Sequence, residues 1–250
     1  MNDQVRCIVL KQIDFKEYDA IIKVLTKEYG KISFKATSIR KLSSKNASSL
    51  LPFTVSDIQF DYQSDKTIFR LKSAHTIQLF RYVHEDLYTS CAASIMVNIA
   101  DLFSVDGNDF VEKKEVFDCL YEALDLLNKK YDTTIVLCLY LVDMMRIFGI
   151  SAEVDGCARC GSQLVYTISS KEGGFLCQKH GQQENLKALS NTQLKQFRLV
   201  VKAGLKHIDA VVKTQSDYLE VLWQLEQMIC IHGMVEQKTF ALYNRLFFIE

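Results

Sequence analysis

Three cysteines and one histidine stand in two pairs whose spacing is typical of a metal-binding site. Cys157 and Cys160 are separated by two residues, as are Cys177 and His180, and sixteen residues lie between the two pairs. Each C-x-x-C or C-x-x-H turn directs two ligands at one point about 2.0–2.3 Å from an ion. Because four protein ligands fill a tetrahedron, the pattern predicts one structural zinc ion per chain and no open position for catalysis.

Two alternatives remain open for this segment. The four side chains could cluster without a metal, and Glu184 or a water molecule could replace His180 as the fourth ligand. The Gly173-Gly174 pair favours a built site, because tight turns around a metal need backbone conformations that glycine adopts without strain. The intervening "LVYTIS" has the composition of a strand, so we expect a zinc-ribbon-like module over residues 155–183.

Patterns of catalytic residues are missing from the rest of the chain. Gly30-Lys31 lacks the upstream glycine and the following Ser or Thr of a nucleotide-binding loop. His84-Glu85 is not followed by the second histidine of a zinc protease helix, and no G-x-S-x-G motif occurs. We therefore expect a protein that is not an enzyme and has no small-molecule substrate.

The composition predicts an ordinary soluble protein of the cytoplasm. The chain is 48% apolar and 24% charged, and its longest apolar runs fall far short of the roughly 18–20 residues that cross a bilayer. No charged leader with an apolar core begins the chain, so a reducing compartment is expected. The other five cysteines are then small buried hydrophobic residues: Cys7, Cys91, Cys119, Cys138 and Cys230.

The first 79 residues have the pattern of a small barrel. Five strand-like segments fall within about 75 residues, with a polar insert after the third and the single Pro52 just before the fourth. The segments are "VRCIVLKQI", "YDAIIKVLT", "KISFKATSI", "FTVSDIQFDY" and "TIFRLKSAHTI". A closed five-stranded OB-fold barrel removes the sheet edges that such a set would expose, so residues 1–79 are predicted to form one.

From residue 80 onward the apolar residues recur at helical spacing. The segment from Ile135 to Phe148 is apolar nearly all round and precedes Gly149, which predicts a buried central helix with a glycine stop. Ser190 and Gln193 form a capping box that begins a further helix. Residues 80–250 are therefore predicted to be an all-helical domain into which the zinc module is inserted.

A basic stretch follows the third predicted strand. It contains no acid between Lys31 and Leu50 and five basic residues: Lys31, Lys35, Arg40, Lys41 and Lys45. Aromatic residues lie nearby, namely Tyr29, Phe34, Phe60, Tyr62 and Phe69. Basic grooves with aromatic platforms hold single-stranded nucleic acids on OB-fold barrels, but a solvated loop over an aromatic core fits the same pattern.

Several passages together resemble the bacterial RecO family of recombinational repair proteins. They are the basic "SIRKLSSK" loop before Pro52-Phe53, the passage "LVDMMRIFGISAEVDGCARCG", and Gly173-Gly174 shortly before Cys177. The resemblance covers essentially the whole chain. Two departures stand out, since Ser38 and Ala47-Ser48 replace glycines that are common in the family and His180 replaces the usual fourth cysteine.

The resemblance implies an N-terminal OB-fold, a helical C-terminal domain and a zinc module. It also implies binding of single- and double-stranded DNA, annealing of complementary strands and, with RecR, loading of RecA on DNA coated by single-strand-binding protein (SSB). On this basis, phosphate contacts are expected from Lys31, Lys35, Arg40, Lys41 and Lys45, and base stacking from Phe34. An alternative is a protein-interaction adaptor whose net-basic residues 157–250 receive the acidic C-terminal tail of SSB, with DNA contact secondary.

Overall fold

The computed structural model describes residues 2–41, 43–61, 66–104 and 110–247. The chain divides into two compact units, Met1–Asn128 and Lys129–Glu250. Within the described ranges, no helix is long and apolar enough to cross a membrane.

The first unit begins with a closed barrel of five strands. Its order is β1-β2-β3-β5-β4, in which β3 and β5 are parallel and β1 pairs with β4 to close the sheet. The strands are β1 (Asn2–Phe15), β2 (Asp19–Thr26), β3 (Gly30–Ala36), β4 (Val55–Asp61) and β5 (Ile68–Gln78). This confirms the predicted OB-fold barrel, including the irregular segment between β3 and β4.

Aromatic rings fill the middle of the barrel. Phe34, Phe60 and Phe69 pack together with ring centroids 5.0–6.1 Å apart, at angles typical of edge and tilted contacts. Along β3 every second residue is buried, so Ile32, Phe34 and Ala36 face inward while Lys31, Ser33 and Lys35 face outward. The core therefore uses most of the aromatic residues that the sequence places near the basic stretch.

Three helices complete the first unit: α1 (Arg81–Glu85), α2 (Leu87–Phe103) and α3 (Phe110–Asn128). Helix α2 contacts β1, and α3 contacts β2 and β3. The sequence predicted a division into residues 1–79 and 80–250, which follows the change from strands to helices after Gln78. By their contacts, however, α1–α3 group with the barrel, and the predicted division stays a prediction.

A buried carboxylate joins α2 to the barrel strands. The Asp101 side chain lies 3.1 Å from the Lys11 ammonium, 3.7 Å from that of Lys23 and 3.2 Å from that of Lys31. Lys31 also donates a 2.7 Å hydrogen bond to the Asp101 carbonyl oxygen. Burial alone would raise the pKa of Asp101, but the Lys11 hydrogen bond and the charges of Lys31 and Lys23 hold it below its usual value.

The second unit is helical apart from one short hairpin. Its helices are α4 (Thr133–Ile147), α5 (Gln178–Gln183), α6 (Asn191–Ala203), α7 (Ile208–Val212), α8 (Leu219–His232) and α9 (Ala241–Phe247), and its strands are β6 (Thr167–Ser169) and β7 (Gly174–Leu176). Helix α4 is central and packs against α6, α7 and α8. The predicted glycine stop is confirmed by Gly149 at φ +70°, and the Ser190–Gln193 capping box is present.

Replacing Asp101 with asparagine should destabilise the first unit. Three lysine ammonium groups would lose their common counter-charge, and we expect the free energy of unfolding to fall by about 1–3 kcal/mol. Because the folded pKa is lowered, the stabilisation is present above the unfolded pKa of about 3.9 and is lost as the pH falls through the folded value. Urea denaturation of both proteins at neutral pH measures the difference. Equal midpoints and slopes would contradict this role for Asp101.

Candidate metal centre and nucleic-acid interface

The four predicted metal ligands converge in the second unit. Their ligand atoms all lie within 4.8 Å of one another. The His180 Nδ1 atom is 3.2 Å from Cys157 Sγ and 3.5 Å from Cys177 Sγ, and the Cys160 and Cys177 sulfurs are 3.9 Å apart. A tetrahedral ion with ordinary zinc bond lengths requires edges of about 3.8 Å between sulfurs and about 3.6 Å between sulfur and nitrogen. The set therefore fits one tetrahedral metal ion.

Two backbone turns aim these ligands at one point. In the first, the N–H groups of Cys160 and Gly161 donate to the Cys157 carbonyl oxygen at 3.2 and 2.8 Å. In the second, Cys177 precedes α5 and its carbonyl oxygen accepts from the Gly181 N–H at 2.8 Å. These hydrogen bonds to the cysteine carbonyl oxygens fix the two turns and so orient the side chains that follow from them.

Glycine at position 174 lets the hairpin lie close to the segment before the first turn. A Cβ on Gly174 would fall 2.3 Å from the Glu153 carbonyl oxygen, which no ordinary side chain tolerates. Gly173 has φ +69°, in the left-handed region that favours glycine. The sequence indicated tight backbone at this glycine pair. Gly174 allows the close approach to Glu153, and Gly173 allows the turn before it.

Glu184, the alternative fourth ligand, is engaged elsewhere. Its carboxylate pairs with Arg159 and lies 3.5 Å from the Lys171 ammonium. Arg159 belongs to the first cysteine turn and also pairs with Glu172 at 2.7 Å. These ion pairs link the first cysteine turn to Glu172 and to Glu184. His180, in contrast, lies with the three cysteines in the cluster that could hold a metal ion, and it remains the predicted fourth ligand.

The Cys157 thiol is suited to ionise. Burial opposes its ionisation, but the contact with His180 and the backbone N–H groups of Cys177, Arg159 and Cys160 together lower its pKa to about 6. The thiolate is the form that binds metal ions. The lowered pKa of Cys157 therefore favours the form that a metal ion requires.

The predicted nucleic-acid residues divide into two groups in the first unit. Lys31 lies in the ion-pair cluster around Asp101, so a phosphate would compete with that carboxylate for its ammonium group. Phe34 is fully buried in the barrel core between Phe60 and Phe69, which contradicts its predicted role in base stacking. The alternation of β3 explains the error, because a residue between two outward-facing neighbours points inward.

The other aromatic candidates are no more accessible. Phe60 and Phe69 are buried, and the partly buried Tyr29 packs edge-on against Phe60 with ring centroids 5.7 Å apart. Tyr62 lies outside the described residues. Of the described aromatic candidates, Phe34 and Phe60 are therefore closed to a base, Phe69 is 5% exposed, and Tyr29 is partly exposed.

The remaining four cations lie on β3 and the loop after it. The Lys35 ammonium is 3.9 Å from Asp19, and the Arg40 guanidinium is 3.1 Å from Asp14. The Lys41 ammonium lies 5.1 Å from the centre of the Tyr18 ring, and Lys45 is exposed. These side chains are accessible and are held by weak surface contacts, which a phosphate can replace.

Two exposed aromatic residues were missed by the sequence reasoning. Phe15 and Tyr18 flank the tip between β1 and β2, and both rings are exposed. The Lys35 ammonium lies 5.3 Å from the centre of the Phe15 ring. The alternation of side chains along β1 could have indicated the exposure of Phe15, because it lies on the same face of the strand as the polar Lys11.

A groove of about 580 Å³ has Lys35 in its lining. Its walls come from β3 and β5, which pair in parallel so that Lys35 stands opposite Arg70. The lining residues are Lys35, Thr37, Asp61, Lys66, Ile68, Phe69 and Arg70. Three cations against one carboxylate make this groove attractive to a polyanion.

Comparison with known proteins gives two family matches. Residues 1–80 match the model described as "Recombination protein O N terminal", and residues 84–233 match the model described as "Recombination protein O C terminal". Together the two matches span both compact units.

Three similar curated proteins bear the name "DNA repair protein RecO". The chain is 26% identical to the protein of Latilactobacillus sakei over 69% of its own length and 62% of the relative, and 28% identical to that of Enterococcus faecalis over 71% and 66%. It is 26% identical to the protein of Lactiplantibacillus plantarum over 88% and 86%. The matched region thus spans less than two thirds of the first two relatives and most of the third.

Metal analysis of ligand variants tests the assignment of the four ligands. We expect one metal ion per chain in the wild type and its loss in Cys157→Ser, because three ligands leave the coordination incomplete. His180→Cys should retain the metal, since a thiolate can replace the imidazole. Glu184→Gln is the matched control and should also retain it. Metal loss in Glu184→Gln together with retention in His180→Ala would contradict the assignment.

Proposed function

The chain belongs to the RecO family, and from that membership we propose that it is a DNA-binding recombination mediator in DNA repair. The proposed activities are binding of single- and double-stranded DNA and annealing of complementary strands. With RecR, the protein would help to load RecA on DNA coated by SSB. The compartment expected for this work is the cytoplasm, and no catalytic step is assigned to the chain.

The observation that carries this proposal is the set of accessible cations on the barrel. Lys35, Arg40, Lys41 and Lys45 follow one another along β3 and the next loop, and no acidic residue interrupts them in the sequence. Each contact between such a side chain and a phosphate releases condensed counterions, which drives binding at low salt. Because these contacts are blind to base identity, they suit a mediator that must act on any sequence.

We further propose that the metal is zinc and that its role is structural. The donors are three sulfurs and one imidazole nitrogen, a ligand set typical of structural zinc. When bound, zinc would supply a cross-link worth about 10 kcal/mol of local folding free energy. Cys157, Cys160, Cys177 and His180 would hold it, and they leave no open coordination position for a substrate.

Removing two of the exposed cations should weaken DNA binding through its electrostatic part. For Arg40→Ala/Lys41→Ala we expect lower affinity for single strands of every sequence. The logarithmic salt slope should become shallower by about 0.7 per lost phosphate contact. Fluorescence anisotropy of a labelled single strand at several salt concentrations measures both quantities.

A variant that should strengthen DNA binding provides the matched control for this experiment. Asp14 holds the Arg40 guanidinium in the free protein, so Asp14→Asn should release it and raise the affinity by about two- to fivefold. Unchanged affinity and unchanged salt slope in the Arg40/Lys41 double variant would count against these contacts.

A pocket in the second unit favours a second candidate function, that of an adaptor. Its volume is about 180 Å³, and its apolar lining comes from α4, α6 and α8 through Val142, Met145, Val201 and Leu225. Arg146 and Lys202 stand at the same pocket together with Glu153 and Asp155, so an acidic ligand would have to displace Asp155 from Lys202 and Asp143 from Arg146. An apolar floor with cations beside it suits an acidic peptide with apolar side chains, as proposed for the SSB tail. In this reading the helical domain docks SSB and RecR, and DNA contact is secondary.

Peptide binding separates the two candidate functions. An adaptor should bind a labelled SSB C-terminal peptide, and Arg146→Ala/Lys202→Ala should weaken this binding at least fivefold while leaving DNA affinity unchanged. The Arg40/Lys41 double variant is the matched control and should bind the peptide normally. Peptide binding in a protein without measurable DNA affinity would favour the adaptor, and no peptide binding would exclude it.

A further inference from the structure

The outer surface of the barrel has a covered half and an open half. Near α2, the ammonium groups of Lys11, Lys23 and Lys31 are drawn to Asp101. Toward the β1–β2 tip, outward-facing residues of neighbouring strands form a row across β1, β2, β3 and β5. In this row Ile13 pairs with Ile21, Ile21 with Lys35, and Lys35 with Arg70. Among the described helices, none forms an ion pair with this row comparable to that of Asp101.

This open half combines apolar and cationic groups. Ile13, Phe15, Tyr18 and Ile68 are large apolar or aromatic side chains that remain exposed. Lys35, Lys66 and Arg70 line the groove between β3 and β5 together with Ile68, and Lys35 also contacts the Phe15 ring. Exposed apolar side chains gathered in one region commonly mark a binding surface, and the accompanying cations select an anionic ligand with apolar parts.

Three carboxylates among the described residues of this region are paired with cations. Asp14 pairs with Arg40, Asp19 lies near Lys35, and Asp61 pairs with Lys72 at 2.5 Å. Asp19 also accepts a hydrogen bond from the Ser38 N–H at 2.9 Å. A paired carboxylate repels an incoming phosphate less than a free one would, although the phosphate must displace it from its cation.

Both exposed rings are contacted by lysine ammonium groups. Lys16 and Lys35 lie 5.7 and 5.3 Å from the centre of the Phe15 ring, and Lys41 lies 5.1 Å from the centre of the Tyr18 ring. Such contacts at exposed sites are worth about two- to fivefold in an equilibrium constant, so they are easily exchanged. The ring faces are therefore available to a ligand that stacks more strongly.

We propose that Phe15 and Tyr18 are the stacking platform for the bases of single-stranded DNA. On binding, a base takes each ring face, and Lys35 and Lys41 move from the rings to the flanking phosphates. This inference rests on the proposed DNA-binding function and specifies how the barrel would select single strands. Each base–ring contact contributes about 5- to 150-fold in affinity, which exceeds the cation–ring contact that it replaces.

Stacking of this kind distinguishes single strands from duplexes. In a duplex the base faces are already occupied by neighbouring bases, so only the phosphates can reach the cations. The rings should therefore contribute to single-strand affinity and leave duplex affinity unchanged, whereas the lysines contribute to both.

The test compares ring variants on strands with and without bases. Fluorescence anisotropy is measured with an oligothymidine of about 16 nucleotides, an abasic strand of equal length and charge, and a duplex. For the full-length Phe15→Ala and Tyr18→Ala proteins we expect at least fivefold weaker binding of oligothymidine. The salt slope and the duplex affinity should not change, and the variants should bind the abasic strand as the wild type does.

Two further variants keep the test independent of folding. Phe15→Leu keeps an apolar side chain but removes the ring, and it should behave like Phe15→Ala, while Phe15→Trp should restore binding. Tyr88→Ala is the matched control, because Tyr88 on α2 is 44% exposed and Tyr18 is 43% exposed. It should bind all three ligands normally.

Three outcomes would overturn the inference. Wild-type affinity for oligothymidine in both ring-to-alanine variants would exclude stacking, and equal losses for single strand and duplex would indicate a purely electrostatic surface. If the wild type discriminates poorly between oligothymidine and the abasic strand, no base contact is made. A wild type that binds no DNA at all would remove the proposed function as well, whereas the first three results leave it standing.

Discussion

The interior of a five-stranded barrel has room only for its own side chains, and this constraint decides where the first unit can recognise a ligand. Phe34, Phe60 and Phe69 fill that space, so their rings stabilise the fold and are closed to other molecules. Recognition must therefore take place on the outer surface. There, Asp101 binds the lysines of one half to α2 and leaves the half that carries Lys35 open.

The metal centre meets a different need in the second unit. Its hairpin strands have only three residues each, too few to hold two turns together by backbone hydrogen bonds alone. A tetrahedral ligand set and the ion pairs of Arg159 with Glu172 and Glu184 supply the missing constraint. With a metal ion bound as proposed, these four residues would complete a tetrahedral coordination, and the centre would then shape the module.

Local patterns were sufficient for the strands, the helix ends and the clustering of Cys157, Cys160, Cys177 and His180, because spacing along the chain determines each of them. The capping box at Ser190 and the stop at Gly149 are of this kind. Phe34 shows the limit, since its neighbours in sequence suggested a ligand-binding role and the inward parity of β3 decided against it. Lys31 and Asp101 are seventy residues apart, and only the packing of α2 on the barrel reveals their ion pair.

The central claim is that the open half of the barrel receives single-stranded DNA through cations and exposed rings together. A map of the backbone amide signals that shift in NMR spectra when a single strand is added tests it most directly. We expect the shifts to concentrate in residues 13–21, 35–45 and 66–70. Shifts confined to the second unit, around the metal ligands or the α4–α6–α8 pocket, would contradict it.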